Sequence, residues 1–391
     1  MPAHSSDRPG ATKALLAEAR TLLDSAFGPA ADGAIGTGRA RGSVGIQADQ
    51  THYSDGFALF LGLPHAVAVA LRRSSSASRV AFAPDATPVA LHDAHSAPHR
   101  GVDVIRRTVA SLRPAGDPGL SLDIGVVSSI PPVLGDAALS ALAVATASAL
   151  NDLYGVPADP RAQMERDLAR DVSVGSRRPT SVSYVLAARE VRPAAVLLVD
   201  TALHEHLPVT PGQGDPLGWA VLDPGGGPPA PPQLHQTRAE QAEAALDRLR
   251  RAGVADIDAF RDLEHRDLER AVDLLPEDLR PITRHLVTEN RRVQKHVRAL
   301  RHGDGQMIGG LLLMSHASRR SHLDASTDEI DAIVEDAEAL TFEGGIYGAG
   351  PASRDGALLV TGRPPDFDRG LERLAEEFEA RTGRSLGTYR L

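Results

Sequence analysis

The order of two periodicities along the chain constrains its fold most. After the breaker run at 224–232, PGGGPPAPP, the pattern becomes helical. Apolar residues recur at helical spacing in 238–251, 255–274 and 282–302, then again in 305–316, 327–340 and 368–382. Only ALLVT at 357–361 reads as a strand there. Before the breaker, strands are expected at 80–82, 89–91, 120–127 and 194–200. Helices are expected at 12–27, 102–113 and 137–154, the last closed by Gly155. Residues 33–74 alternate glycine clusters with apolar runs, which predicts strands and tight turns. Strands early and helices late, without an internal repeat, argue for an α+β fold over a doubly wound one.

A chain of 391 residues holds two or three domains. The breaker run divides it into 1–205, a Pro/Gly-rich linker at 206–235 and 236–391. Apolar residues make up 42%, an ordinary globular share. The net charge of −9 argues against a nucleic-acid footprint spread over the whole protein. The most apolar stretch, 137–150, is shorter than the roughly 20 residues a membrane-spanning helix needs. The N-terminus has no apolar core of a signal peptide. No cysteine is present, so disulfides, thiolate metal sites and cysteine nucleophiles are excluded, and a cytoplasmic location is expected.

Four stretches carry a family resemblance. Residues 42–56, GSVGIQADQTHYSDG, are similar to G-R-x-N-x-I-G-E-H-x-D-Y-x-x-G. Residues 131–146, PPVLGDAALSALAVAT, are similar to a phosphate loop P-x-x-x-G-L-S-S-S-A. HLVTENRRV at 285–293 and GGLLLMSHASRRSHLDASTDEID at 309–331 match L-T-E-N and S-H-x-S-x-R. GGIYGAGPASRDG at 344–356 is a glycine-rich third motif that includes Gly348 and Gly350. In this order the stretches resemble the galactokinase group of the GHMP small-molecule kinases. The resemblance implies a two-domain α+β architecture, with an S5-like N-terminal half, a ferredoxin-like C-terminal half and a site in the cleft between them.

Phosphoryl transfer to a sugar needs an anion cradle, a cation or Mg²⁺, and a carboxylate near the attacking hydroxyl. By resemblance the cradle is Gly135, Asp136, Ala137, Ala138, Leu139 and Ser140. Gly135 remains, but Ala137, Ala138 and Leu139 stand where the family has hydroxyls. Asp136 adds negative charge where phosphate would sit, and reads otherwise as the N-cap of its own helix. The family's metal-holding acid falls on Ala143, and its signature Arg on Ser43. Arg39 or Arg41 could replace that Arg by a register shift; both also read as exposed turn residues.

The family's base falls among Ser181, Val182, Ser183 and Tyr184, none of them an acid; Glu190 is the sole acid between 176 and 199 and reads as a solvated loop charge. The sugar shell becomes Asp49, Gln50, His52, Tyr53 and Asp55, with His235 at the position of a family Tyr. These side chains can still hydrogen-bond to hydroxyls.

Other constellations read as structural. His92, His95 and His99, and His204-Glu205-His206, have zinc-like spacing but no matching partner set, so no metal is expected. GTGRARG at 36–42 lacks the βαβ context of a dinucleotide loop. His285 and His316 read as core histidines, and Asn290 as a satisfied buried amide.

The sequence reading is therefore a divergent galactokinase-like protein that binds a small polar, sugar-like ligand, with standard ATP:galactose 1-phosphotransfer lost. Its alternative is an active sugar kinase that uses ATP and Mg²⁺ through relocated groups. Neither nucleic acid nor membrane is expected as a partner.

Overall fold

A computed structural model describes residues 9–29, 33–48, 51, 54–91, 100–112, 120–155, 187–214, 216–227, 232–254, 257–343, 345–353, 356–364 and 366–391. The chain is α+β, as expected, and its contacts divide it into two compact units. The described residues within Met1–Ser43, Gly62–Val174 and Tyr184–Pro193 form one unit; those within Val44–Leu61, Gly175–Ser183 and Ala194–Leu391 form the other. The units are thus interleaved along the chain. The stretch read as a linker, 206–235, carries two strands, most of Glu205–Val209 and all of Gly218–Asp223, and the start of a helix.

In the first unit, helix α1 (Pro9–Phe27) packs on a sheet of β1 (Ile35–Gln47), β2 (Phe57–Arg73), β3 (Arg79–Phe82), β4 (Val89–Ala90) and β5 (Leu122–Ser128). Residues 67–73 of β2 run antiparallel to β5, and β3 runs parallel to it. Ala19, Leu23, Ala68, Ala81 and Val127 form one apolar cluster. Helices α2 (Arg100–Leu112) and α3 (Gly135–Tyr154) pack on each other. As expected, α3 ends at a left-handed Gly155 (φ 63°), whose N–H bonds to Asn151 O.

The strands expected over 33–74 form as β1 and β2, but they are 13 and 17 residues long and run through most of the glycine clusters read as tight turns. The glycines there serve close packing. A Cβ on Gly36 would lie 2.1 Å from Ala149 O, and one on Gly38 would lie 2.0 Å from Ala145 O. Bare glycine lets β1 rest directly on the backbone of α3.

The second unit begins with the ends of β1 and β2. Residues 57–61 of β2 pair with β6 (Val196–Asp200), which pairs with β7 (Glu205–Val209). The helical part follows: α4 (Pro232–Arg251), α5 (Leu268–Asp273), α6 (Arg280–His302), α7 (Gly305–Leu323) and α8 (Asp328–Glu343). A four-stranded antiparallel sheet completes it, ordered β11–β8–β10–β9, from β8 (Gly218–Asp223), β9 (Ile346–Pro351), β10 (Leu358–Gly362) and β11 (Gly387–Arg390). It shares an apolar core with α8 and α9 (Phe367–Thr382), including Ile333, Ala337, Val360, Leu371 and Phe378.

The single helix expected over 255–274 does not form. Two 3₁₀ turns, Phe260–Asp262 and His265–Asp267, precede α5. The Asp262 carboxylate accepts from the N–H groups of Asp258 (3.0 Å) and Ala259 (2.8 Å), which starts a new turn and stops a continuous ladder. Among the described residues, no helix is long and apolar enough to cross a membrane.

Candidate functional site

In the first unit, the stretch resembling a phosphate loop forms the first turns of α3. Its N-cap is Leu134, which offers no side-chain cap. Asp136 is therefore the second helical residue, and the N-cap role expected for it is wrong. Its carboxylate instead accepts a hydrogen bond from Arg100 Nη2 at 3.0 Å. A carboxylate in a first helical turn also interacts favourably with the helix dipole. Ala137 and Ser140 turn into the protein, while Ala138 and Leu139 are half-buried.

Ser43 lies on β1, 1% exposed, and its Oγ has no hydrogen-bond partner among the described residues. Arg39 and Arg41 are half-buried on the same strand, so the exposed turns expected for them do not exist. Alternation along a strand puts residues 39, 41 and 43 on one face. Burial, and then the charge of Arg41, lower the pKa of Arg39. Arg41 Nη1 donates to Pro64 O at 3.1 Å.

The second unit brings two of the resembling stretches together. Glu289 on α6 is 0% exposed, and its carboxylate meets Gln47 of β1, Ser315 of α7 and Arg292 one turn along its own helix. Ser315 Oγ donates to it at 2.6 Å, and Gln47 Nε2 also donates to Ser315 Oγ at 3.0 Å. Beside this network, Asn290 Oδ1 accepts from Phe57 N at 2.9 Å, and its Nδ2 donates to Leu286 O at 2.9 Å. Asn290 is the satisfied buried amide that was expected.

The turn before Phe57 is closed by Gly56 N donating to Thr51 O at 3.0 Å. A Cβ on Gly56 would lie 2.6 Å from Asn290 Oδ1, so only glycine allows this approach. Asp55 in the turn has a left-handed backbone, φ 59°. Asp49, Gln50, His52 and Tyr53 lie outside the described residues, as do Ser181, Val182, Ser183, Tyr184 and His92, His95 and His99. His235 sits in the first turn of α4; its side chain is outside the description.

Around this core, His285 Nδ1 lies 3.1 Å from Ser318 Oγ, itself 3.0 Å from His322 Nδ1. His316 Nε2 lies 3.0 Å from Asp331, which also binds Arg320. Burial lowers the pKa of His316 despite the attraction of Asp331. His296 is wholly buried, and burial lowers its pKa to about 4. Both His285 and His316 are core histidines, as read. Gly348 and Gly350 lie on β9, where Cβ atoms would meet Gly309 O at 2.3 Å and Leu312 O at 2.7 Å. Their glycine character serves the contact of β9 with α7.

The buried Glu289 network escaped the sequence reading. Its signal was an acid on the same helical face as Leu286 and Val293, inside the stretch matching L-T-E-N.

The chain matches no protein-family model. It is 30% identical over 314 residues to a galactokinase of Streptomyces coelicolor, an alignment covering 78% of this chain and 79% of that one. The chain belongs to the galactokinase family. A Thermotoga maritima galactokinase is 26% identical over 354 residues, covering 89% of this chain and 95% of that relative. Among solved structures, Lactococcus lactis galactokinase complexed with galactose superposes with a TM-score of 0.77 at 16% identity, over 97% of both chains. Methanococcus jannaschii mevalonate kinase superposes with a TM-score of 0.57 at 10% identity, over 93% of this chain and 98% of that one. These superpositions show the GHMP kinase fold, and the galactokinase relatives make this chain sugar-kinase-like.

Proposed function

We propose that this galactokinase-family protein binds a small polar, sugar-like ligand and has lost ATP:galactose 1-phosphotransfer by the family's usual groups. The observation that carries the reading is the start of α3. Three backbone N–H groups remain there, as an anion cradle requires. No hydroxyl precedes Ser140, and the one ionisable side chain is a carboxylate whose charge is matched by Arg100. A γ-phosphate bringing several negative charges would meet Asp136 and compete for Arg100. Ala143 supplies no oxygen for Mg²⁺. The residues present thus do not fit the Mg²⁺–ATP complex in the way the resemblance implies, and we derive no step through it. Ser43 in place of the Arg, and no acid among Ser181, Val182, Ser183 and Tyr184, point the same way. Removing a transition-state Arg alone costs roughly 10³–10⁵ in rate.

The ligand contacts in this reading are Asp49, Gln50, His52, Tyr53, Asp55 and His235, a set of donors and acceptors suited to hydroxyls. The chain would act in the cytoplasm as a sensor, a scaffold or an enzyme of another reaction. A second reading, an active ATP- and Mg²⁺-dependent sugar kinase, is favoured by Arg39 and Arg41, which share a face of β1 with Ser43.

Calorimetric titration with Mg²⁺–ATP, beside a coupled ADP assay with galactose, separates the two. The expected result is no nucleotide binding tighter than about 1 mM, or about −4 kcal/mol, and no turnover. Chelation-sensitive binding below that value, with galactose-dependent ADP release, would establish the second reading. Asp136→Ser should then gain phosphate or nucleotide affinity. Its stability should change by no more than about 1 kcal/mol, the worth of an exposed ion pair. Unchanged anion affinity in this variant would show that the carboxylate is not what excludes phosphate.

A further inference from the structure

The second unit holds a pocket of about 520 Å³ formed by α6, the two 3₁₀ turns at 260–267 and Met314. Its charge is unusual for a chain of net −9. Arg261, His265, Arg266, Arg291, Arg292 and Lys295 line it, against one acid, Glu264. Three of these cations are engaged. Arg261 Nη1 lies 2.9 Å from both carboxylate oxygens of Asp200, Arg266 pairs with Glu264 at 3.1 Å, and Arg292 pairs with Glu289.

Arg291 and Lys295 are exposed and have no carboxylate partner among the described residues; Arg291 donates to Gln294 Oε1 at 2.7 Å. They stand four residues apart on α6, an arrangement in which like charges repel. With Thr288 and Arg292 they form an i, i+3, i+4, i+7 stripe facing one pocket. Arg292 is 7% exposed, and its buried Nε has no hydrogen-bond partner among the described residues. Donors therefore outnumber acceptors here, both in the wall and at the mouth. The remaining wall is the apolar Phe260, Leu263, Val287 and half-exposed Met314, with the amides of Asn290 and Gln294.

We propose that this pocket binds a phosphate monoester whose organic part is about the size of a hexose. The dianion takes the donors of Arg291 and Lys295, which gain charge-assisted hydrogen bonds and lose their mutual repulsion. The organic part rests on the apolar wall. The volume lies within the range of small-molecule pockets, roughly 300–1,000 Å³, and a bare phosphate would leave most of it empty. No residue of α3 and none of the described residues of the turn, 51 and 54–56, lines the pocket. Arg291 and Lys295, the donors assigned to the phosphate, are not among the proposed sugar contacts, and the proposal does not depend on the reading given for them.

The test titrates the full-length protein with glucose 6-phosphate, inorganic phosphate and glucose, at low salt and at fixed pH. Glucose 6-phosphate is expected to bind with a Kd below 1 mM, at least tenfold tighter than inorganic phosphate, about 1.4 kcal/mol. Arg291→Glu combined with Lys295→Glu should weaken it by about 30-fold or more, with an unchanged circular dichroism spectrum because both residues are exposed. Failure of glucose 6-phosphate to bind at 10 mM, or equal binding by the double variant, would overturn the proposal. Equal affinity for inorganic phosphate would overturn the assignment of a monoester. Binding that the double variant leaves unchanged and that Asp136→Ser strengthens would place the anion at α3 and overturn it too.

Discussion

Replacing Glu289 by Ala is the sharpest test of how the second unit is held together. The side chain is 0% exposed and takes donors from Gln47, Ser315 and Arg292. Removing it leaves the Arg292 guanidinium, 7% exposed, without its counter-ion. Breaking a buried pair from one side costs roughly 3–5 kcal/mol. Gln47 loses less, because its Nε2 retains Ser315 Oγ at 3.0 Å. We expect a total of about 4 kcal/mol. For a unit of this size each kcal/mol moves the midpoint by roughly 2–4 °C, so its transition should fall by about 8–16 °C. Replacing both partners, Glu289→Met with Arg292→Leu, removes the charge and its counter-charge together and should recover most of the loss. Scanning calorimetry and urea titration measure both variants. A single variant costing less than about 1 kcal/mol, or a double variant no better than the single, would show that the burial of the pair carries no energetic weight.

Two further outcomes are expected. Gly309→Ala puts a Cβ 2.1 Å from Tyr347 O, a backbone atom with little freedom to move, and should destabilise by at least 1–3 kcal/mol. The neighbouring Gly310→Ala meets nothing within 4 Å and should stabilise the helix by about 0.5–1 kcal/mol, so chemical denaturation of the pair isolates the contact of α7 with β9. His296 gives a pH signature. Its pKa is about 4 when folded against about 6.5 unfolded, so the folded state holds fewer protons. Its contribution is complete above pH 6.5, is lost as pH falls from 6.5 to 4, and amounts to about 3 kcal/mol. The difference in urea midpoint between the wild type and His296→Leu, followed from pH 7.5 to 4.5, should shrink accordingly; a constant difference would mean that His296 does not titrate as described.

Much of the architecture was legible in the sequence because it rests on local periodicity. The helices at 100–112, 135–154, 280–302 and 367–382 show apolar stripes and clear ends, and each lies close to its expected position. Two features were not legible. The glycines between 36 and 42 resemble turn residues, yet Gly36 and Gly38 serve a packing contact with α3, more than 100 residues away. The run over 255–274 keeps a helical pattern, and only the capture of backbone N–H groups by Asp262 interrupts it.

The site divides in the same manner. Asn290 on an apolar stripe was readable as buried and satisfied. Glu289, one residue earlier, shares the apolar face, but its burial depends on Gln47 and Ser315, which no local pattern announces. A helix expected from Ala137 makes Asp136 its cap, whereas the helix already begins at Gly135.

The seating of β1 on α3 also bears on redesign. Gly36 and Gly38 fix the strand's height and register against the carbonyls of Ala149 and Ala145. Odd-numbered residues face the other way. Side-chain chemistry at the half-buried positions 39 and 41 can therefore be exchanged without moving the backbone that carries it. A strand clamped from behind by two glycines behaves as a fixed rail, from which the side chains at 39 and 41 start at defined positions. Side chains on such a rail can be exchanged one at a time while the fold stays intact.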